Sequence, residues 1–557
     1  MELRVCGCGH DGRLGLGKDT NVHSLTAHPF FTAERAPVRI FCGGFHSFVL
    51  AADGVVYAFG LNEQGQLGLS SKQPAYSRPT PVPFFQDMDL SLLGDASVDV
   101  VWLAGAHNGT HSHRLSDVEL EHRERILSTI ANMGTGGRKS EVVLGIECGG
   151  YHTMVLTNKA LYACGANDKG QLGVGHFDNE KSFVTVTLPV EDVIGHVVGV
   201  SCGPYHSGII IRDGSLPTRL LQHPGVLSTT SPDLPSDVIL MPEEEDMTVV
   251  PFSIMCCGAG DFGELGRDAD EWEKLHAMEA RVKNHVSLRS HHEQQGGSNS
   301  DIAEFTPTTM KSAPKFKIKG VVPIKRREAF SSESFKRVRF PFLDEYALEM
   351  DLPTISYIDL RCSLRHTSVT IHFDRSAVHA PKSFHWGCYY CDKVETDASS
   401  IPREVPTNES DQSIVRVHGG EEVLITVHRQ EATRGGGDTI VVQGKGNLGC
   451  GDDDDFSEEG KVLVVPVDGP FEVLDVQGKD HYLMSLRLLS DTTPEPYVVA
   501  AFGSNFMGNL GVGNDDEVGE TVHIISRSSQ TLYIGTGFRH SMILSSKAVD
   551  TTATTTM

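Results

Sequence analysis

Six histidines, His46, His152, His206, His366, His481 and His540, share one context: an apolar run, a small residue, Gly, two further residues, then the His and a second apolar run. In two copies the context is imperfect, with Ser363 replacing the Gly before His366 and Tyr482 following His481 where Ser or Thr follows the others. Imidazole ligates metals and moves protons near neutral pH, so these are the first two chemistries to weigh. A reaction centre draws single residues to one place, whereas these six occupy one position of a repeat. They are therefore expected to be structural, each bonding a neighbouring backbone.

The cysteines sort in the same way. Cys42, Cys148, Cys202 and Cys362 lie four residues before a repeated His, and Cys6, Cys164 and Cys257 lie directly before a repeated Gly, so these seven read as small apolar fillers. Cys388-Tyr389-Tyr390-Cys391, near His385 and His379, lacks the second ligand pair of a structural zinc site and reads as a strand hairpin. No Gly-x-Ser-x-Gly elbow is present, and the Gly-rich turns precede strands, not the helix of a phosphate loop. The expectation is no metal, no cofactor and no catalytic centre.

One segment could carry binding chemistry. Between Lys311 and Arg339, ten Lys and Arg face two Glu, a net +8 over 29 residues in a chain of formal charge −25. Lys315, Lys317 and Lys319 alternate with apolar residues, Lys325, Arg326 and Arg327 are consecutive, and Arg337 and Arg339 alternate again. In a strand-like conformation they would present a cationic face suited to an acidic partner: a nucleic-acid backbone, the acidic tails of tubulin or an acidic protein surface. Two other uses stand beside that one. The chain's own acidic loop, Asp452 to Asp455 with Glu458 and Glu459, could neutralise the strip, and Lys325-Arg326-Arg327 could serve nuclear import.

Composition bounds the alternatives. With 48 Lys plus Arg against 73 Asp plus Glu, a generally basic protein that coats nucleic acid is excluded. No run approaches the roughly 18 apolar residues of a membrane span, the N-terminus lacks the apolar run of a secretory signal, and 12 Cys in 557 residues are too sparse for a disulfide scaffold. A soluble intracellular protein with reduced thiols and no membrane insertion is expected, cytoplasmic, cytoskeletal or ciliary ahead of nuclear.

To place six histidines alike, the chain must repeat its elements. Segments opening at Gly7, Gly60, Gly165, Gly258 and Gly503 share a second template, with Gly five residues on and Leu-Gly at the seventh and eighth steps. The residue two after the first Gly is Gly9, Asn62, Asn167, Gly260 or Asn505, types that tolerate positive φ, so a strand end entering a partly left-handed turn is expected. Degenerate copies at Trp386-Gly387 and Gly444, and one that puts Glu422 where a His would stand, bring both templates to seven in strict alternation. Without the longest insertions about 395 residues remain, about 56 per unit. Units of that length built from short strands indicate an all-β, seven-bladed β-propeller with one four-stranded blade per unit.

The paired templates, Gly-x-Asn-x-x-Gly-Gln-Leu-Gly and Cys-Gly-Gly-x-His-Ser/Thr, resemble the regulator of chromosome condensation repeat superfamily, whose members form such propellers. The resemblance implies closure of the ring by pairing the strand at Leu3 to Cys6 with the C-terminal unit ending near Leu544. It also implies protein binding, since members include an exchange factor for a small GTPase, ciliary scaffolds, ubiquitin-ligase modules and a light receptor. The light receptor depends on many Trp, and this chain has only Trp102, Trp272 and Trp386.

The propeller is expected over residues 1–548, followed by a disordered tail at 549–557. Insertions are expected at 86–140, with a helix at 117–133 capped by Ser116 and Glu119, and at 214–250, a Pro- and Ser-rich acidic loop. A third, at 267–345, would carry a helix at 269–284, a polar linker and the cationic strip. The functional expectation is a non-catalytic scaffold or regulatory subunit of a larger assembly, possible sites being ciliary or microtubule-based. The alternative is a guanine-nucleotide exchange factor for a small Ran-like GTPase.

Overall fold

The computed structural model describes residues 1–94, 141–188, 197–212, 252–266, 331–338, 355–373, 381–387, 401–405, 412–420, 423–430, 437–445, 448–450, 456–490, 493–515, 521–530 and 532–545. The expected helices at 117–133 and 269–284, the loop at 214–250, Cys388, Cys391 and the tail at 549–557 lie outside them.

Seven antiparallel four-stranded sheets form the seven blades. Blade 1 runs outward from the axis through Pro37–Cys42, His46–Ala51, Val56–Leu61 and Ala75–Pro81. The innermost strands of blades 2 to 6 are Val143–Cys148, Val197–Cys202, Ile355–Cys362, Gln412–Gly419 and Phe471–Gly478. Blade 7 is shared by the two ends of the chain: Tyr533–Gly537 and His540–Ser545 supply its inner half, Glu2–Gly7 and Val22–Ala27 its outer half. Glu2 pairs with Ser545 and Gly7 with His540, the closure expected from Leu3 to Cys6.

Register explains why the templates alternate. In each blade the first Gly of the turn template sits opposite the template His: Gly60 faces His46, Gly165 faces His152, Gly258 faces His206, and Gly503 faces His481. Gly60 has φ +107°, and a Cβ there would meet the Phe45 carbonyl oxygen at 2.5 Å. Only Gly allows the third strand to turn away so close to the second.

Apolar side chains alternate onto the two faces of each blade and pack between neighbours. The largest cluster, between blades 5 and 6, includes Ile425, Val427, Ile440, Val442, Met484, Leu486 and Phe502. The smallest, where blade 5 meets blade 4, is Ile414, Val417 and Leu424 with Val405 against it.

Three expectations change. Blade 5 places Val423, not Glu422, opposite Gly444, because the register follows the pleat and the loop before it is one residue longer than the pattern assumed. The turn positions Asn62, Asn167 and Asn505 are not at positive φ, and Gly9 has φ −91°. The left-handed positions are instead the first, sixth and ninth residues of the template, for example Gly60, Gly65 and Gly68. Finally, Ser332–Arg337 is the outermost strand of blade 3, so the insertion expected at 267–345 returns to the propeller by residue 332.

Candidate functional site

All six template histidines are fully buried. His540 Nδ1 meets the expected backbone partner, the Phe538 carbonyl at 3.3 Å, while Nε2 of five of the six faces a hydroxyl of the next blade. His46 Nε2 lies 2.8 Å from Thr153 Oγ1, His152 Nε2 2.8 Å from Ser207 Oγ, His206 Nε2 2.8 Å from Thr367 Oγ1, and His481 Nε2 2.7 Å from Ser541 Oγ. His540 Nε2 and Ser47 Oγ are 3.4 Å apart. Each of the first four hydroxyls donates its proton back to a turn carbonyl of the preceding blade: Gln66, Gln171, Glu264 or Asn509. A hydroxyl has one proton, so it accepts from the imidazole, which fixes the Nε2–H tautomer at His46, His152 and His206, whereas His481 also holds the Asp480 carboxylate at 2.9 Å from its Nδ1. Burial drives the His152, His206 and His540 pKa down to about 3 and that of His46 well below its ordinary value, so these rings are neutral structural donors.

The turn templates carry their own side-chain scaffold. Asn62 Oδ1 accepts the Leu67 amide at 3.1 Å while its Nδ2 donates to the Gln73 carbonyl, and Asn167 and Asn505 repeat both bonds. Gln66, Gln171 and Glu264 each accept the amide two residues back. Burial pushes the Glu264 carboxyl up to about 8, so at neutral pH it stands protonated in a position that Gln fills in blades 1 and 2. The thiols of Cys6, Cys164 and Cys257 point at the same turn carbonyls at 3.5 to 3.6 Å, which makes them weak donors as well as fillers.

Both templates lie on one face, because the first strand ends, the second begins, the third ends and the fourth begins at the same end of a blade. There the loops raise an aromatic stripe across blades 7, 1, 2 and 3. Phe538 and Phe45 centroids are 5.3 Å apart, Phe45 and Tyr151 stack at 4.7 Å, and Tyr151 and Tyr205 are 6.5 Å apart. Arg13 lies 4.7 Å over Phe45, and Arg539 lies 5.4 Å over Phe506. Tyr205 and Phe506 are exposed, at 37% and 55%. The chain also leaves blade 3 at Gly266 and returns at Ser331 on this face, so the segment that includes most of the cationic strip is anchored beside Tyr205.

Of the strip itself, Arg337 is exposed on the outer strand of blade 3. Lys315, Lys317, Lys319, Lys325, Arg326, Arg327 and Arg339 lie outside the described residues, so the structure does not bring them together.

A polar channel of about 210 Å³ runs along the axis between the inner strands. Arg361 Nε bonds Asp359 Oδ1 at 2.8 Å, and Arg416 bonds Asp475 Oδ1 at 2.9 Å and the Leu474 carbonyl at 3.0 Å. Burial would push Asp359 up, but Arg361 and Arg416 overcome it and hold the carboxyl below its ordinary range. Sequence reasoning missed this cluster, since its members come from the inner strands of blades 4, 5 and 6 and belong to neither template. Among the described residues no group of three or more His, Cys, Asp or Glu is placed to hold a metal ion, and no helix is long and apolar enough to cross a membrane.

A closed ring of seven four-stranded blades, stitched by repeated turns and buried histidines, defines a repeat propeller. Two sequence families, both described as the regulator of chromosome condensation (RCC1) repeat, match it at residues 38–66 and at 53–96 and 160–210. These segments carry the repeat of that superfamily. It is 29% identical over 205 residues to the probable E3 ubiquitin-protein ligase HERC6 of Homo sapiens, covering 36% of this chain and 20% of that protein. To the X-linked retinitis pigmentosa GTPase regulator of Mus musculus it is 26% identical over 221 residues, covering 38% and 21%. The chain thus spans about a fifth of the length of these curated relatives. Among solved structures, human WBSCR16 shares the fold with a TM-score of 0.54 at 13% identity, covering 98% of this chain and all of that one. Yeast RCC1 (Prp20), solved with Kap60 bound, gives a TM-score of 0.52 at 13% identity, with 97% and 88% covered.

Proposed function

We propose that the chain is a non-catalytic protein-interaction module, a scaffold or regulatory subunit of a larger intracellular assembly, that docks its partner on the loop face. The observation that carries this is the aromatic stripe from Phe538 to Tyr205: its rings come from four successive blades, and rings with exposed faces beside Arg side chains are the composition of interaction hot spots. The cationic strip would reinforce docking to an acidic partner surface, and tubulin tails in a ciliary or microtubule setting are one such surface. The ciliary setting draws on the likeness to the retinitis pigmentosa GTPase regulator.

Regulation of a small GTPase is the second reading, and the name of that same relative supports it. The two separate in one experiment. Tyr205→Ser and Phe506→Ser should leave the melting temperature within about 0.5 kcal/mol of stability while abolishing retention of the chain in its native assembly on size-exclusion of cell extract. Unchanged retention in both variants would sink the docking face. Accelerated release of labelled GDP from a Ran-type GTPase by the purified chain would favour the second reading over the scaffold.

A further inference from the structure

Where the axial channel reaches the loop face it narrows to a chamber of about 80 Å³, lined by Glu147, Arg361, Gln477 and Lys479 and by the thiols at the ends of the first four inner strands. Lys479 Nζ is out of solvent there without a hydrogen-bond partner, its nearest described neighbour of note being the Phe538 ring at 5.5 Å. Burial is the largest influence on this ammonium and lowers its pKa, so the charged form is costly here and an anion in the chamber would restore it.

Among the described residues no side chain bonds the Lys479 ammonium. Asp359 and Asp475 are engaged by Arg361 and Arg416, and Asp480, whose charge Lys479 feels, bonds His481 Nδ1 at 2.9 Å and the Arg539 amide at 3.2 Å. Burial pushes the Cys42 and Cys362 thiols up to about 12 and Cys148 and Cys202 well above the usual thiol range, so they carry no charge that could serve. Glu147 lines both chamber and channel and feels the charges of Arg361 and Lys479, without an ion pair or hydrogen bond among the described residues. Burial holds its carboxyl up at about 7, so much of it is protonated at neutral pH, a donor instead of a counter-ion.

We propose that this chamber binds a compact oxyanion, a phosphate or a carboxylate group, between the Lys479 ammonium and the Glu147 carboxyl, with the axial channel as its way in. Both residues line one cavity, Arg361 adds positive potential, and the chamber's volume suits a single tetrahedral or planar anionic group. In a chain of net charge −25 an anion would be repelled from most of the surface, so occupancy here must come from the local donors.

The test uses the full chain in chloride buffer, titrated by calorimetry with inorganic phosphate and separately with acetate at matched ionic strength. Saturable binding of one anion is expected, phosphate identifying a phosphate site and acetate a carboxylate site. Lys479→Met should weaken it about tenfold or more, whereas Glu147→Gln, whose amide still donates, should bind at least as well as the parent. Because Lys479→Met removes an uncompensated buried charge, its melting temperature should hold or rise; should it fail to fold, Lys479→Gln serves in its place. No saturable signal from either anion, or equal binding by the Lys479 variant, overturns the site.

Discussion

Between blades 2 and 3, His152 donates to Ser207, which donates to the Gln171 carbonyl, and every atom of that relay is buried. Between blades 5 and 6 the corresponding positions are Val423 and Tyr482, and the joint is filled by the largest apolar cluster among the described residues. One joint is directional and specifies how the blades sit; the other is non-directional and is held by buried area. At the joint between blades 4 and 5 the relay position is Leu424, next to Val423, and the blades are tied by Ser368 Oγ donating to the Val417 carbonyl at 3.2 Å beside the Ile414, Val417 and Leu424 cluster. Relay and core are therefore alternative ways of joining blades.

Acid should produce the largest difference. The buried histidines of the relay joints have folded pKa values far below their unfolded value near 6.5, so protonation favours the unfolded chain; stability is full above pH 6.5 and falls as pH drops towards about 3. Each such ring costs about 1.4 kcal/mol per pH unit in that window, so the three together should cost about 8 kcal/mol by pH 4.5, comparable with the roughly 5 to 15 kcal/mol of a domain. Circular dichroism against pH should show cooperative acid unfolding, and a chain still folded at pH 4 would contradict neutral relays.

Next in size, Glu264→Gln should stabilise the 3–4 joint. A carboxyl whose folded pKa of about 8 exceeds its unfolded value of 4.5 costs stability that grows as pH rises from 4.5 to 8. The variant should gain about 4 to 5 kcal/mol at pH 8 and nothing at pH 4, and a gain independent of pH would point to packing instead.

The loss of one hydroxyl follows. Thr367→Val leaves the His206 N–H unpaired while the Glu264 carbonyl keeps the Trp386 indole N–H, and should cost about 2 kcal/mol in urea unfolding, whereas Leu424→Val at the 4–5 joint should cost about 1 kcal/mol. Equal costs would remove the distinction between the joints. The smallest effect is expected for Leu424→Thr, which puts a hydroxyl at the position where the relay joints carry one: it should be less destabilising than Leu424→Ala, by about 1 kcal/mol, measured by thermal melts.

The fold was legible because the two templates are two halves of one contact. A third-strand Gly must lie against a second-strand His, so the pair recurs wherever a blade does, and period and closure followed from counting. Blade 5 escaped by one residue, since with no His to anchor the pattern Glu422 and Val423 were equivalent by eye, and only strand pairing separates them. The Asn positions were assigned to backbone conformation, although the decisive property of Asn62 is an amide that spans the turn. The axial cluster left no trace at all. Arg361, Arg416, Asp475, Glu147 and Lys479 are scattered over four blades and meet only because their strands converge on the axis.

Blade 7 joins Glu2–Gly7 to His540–Ser545, partners separated by more than 500 residues of chain. On a ribosome the first strand emerges long before its neighbour exists, so its edge must wait, unpaired, through most of synthesis. Loop closure on this scale comes late and slowly. The final step of folding is then the fastening of a nearly complete ring, and anything that holds or hides the Leu3–Cys6 edge during that wait governs the yield of finished molecules.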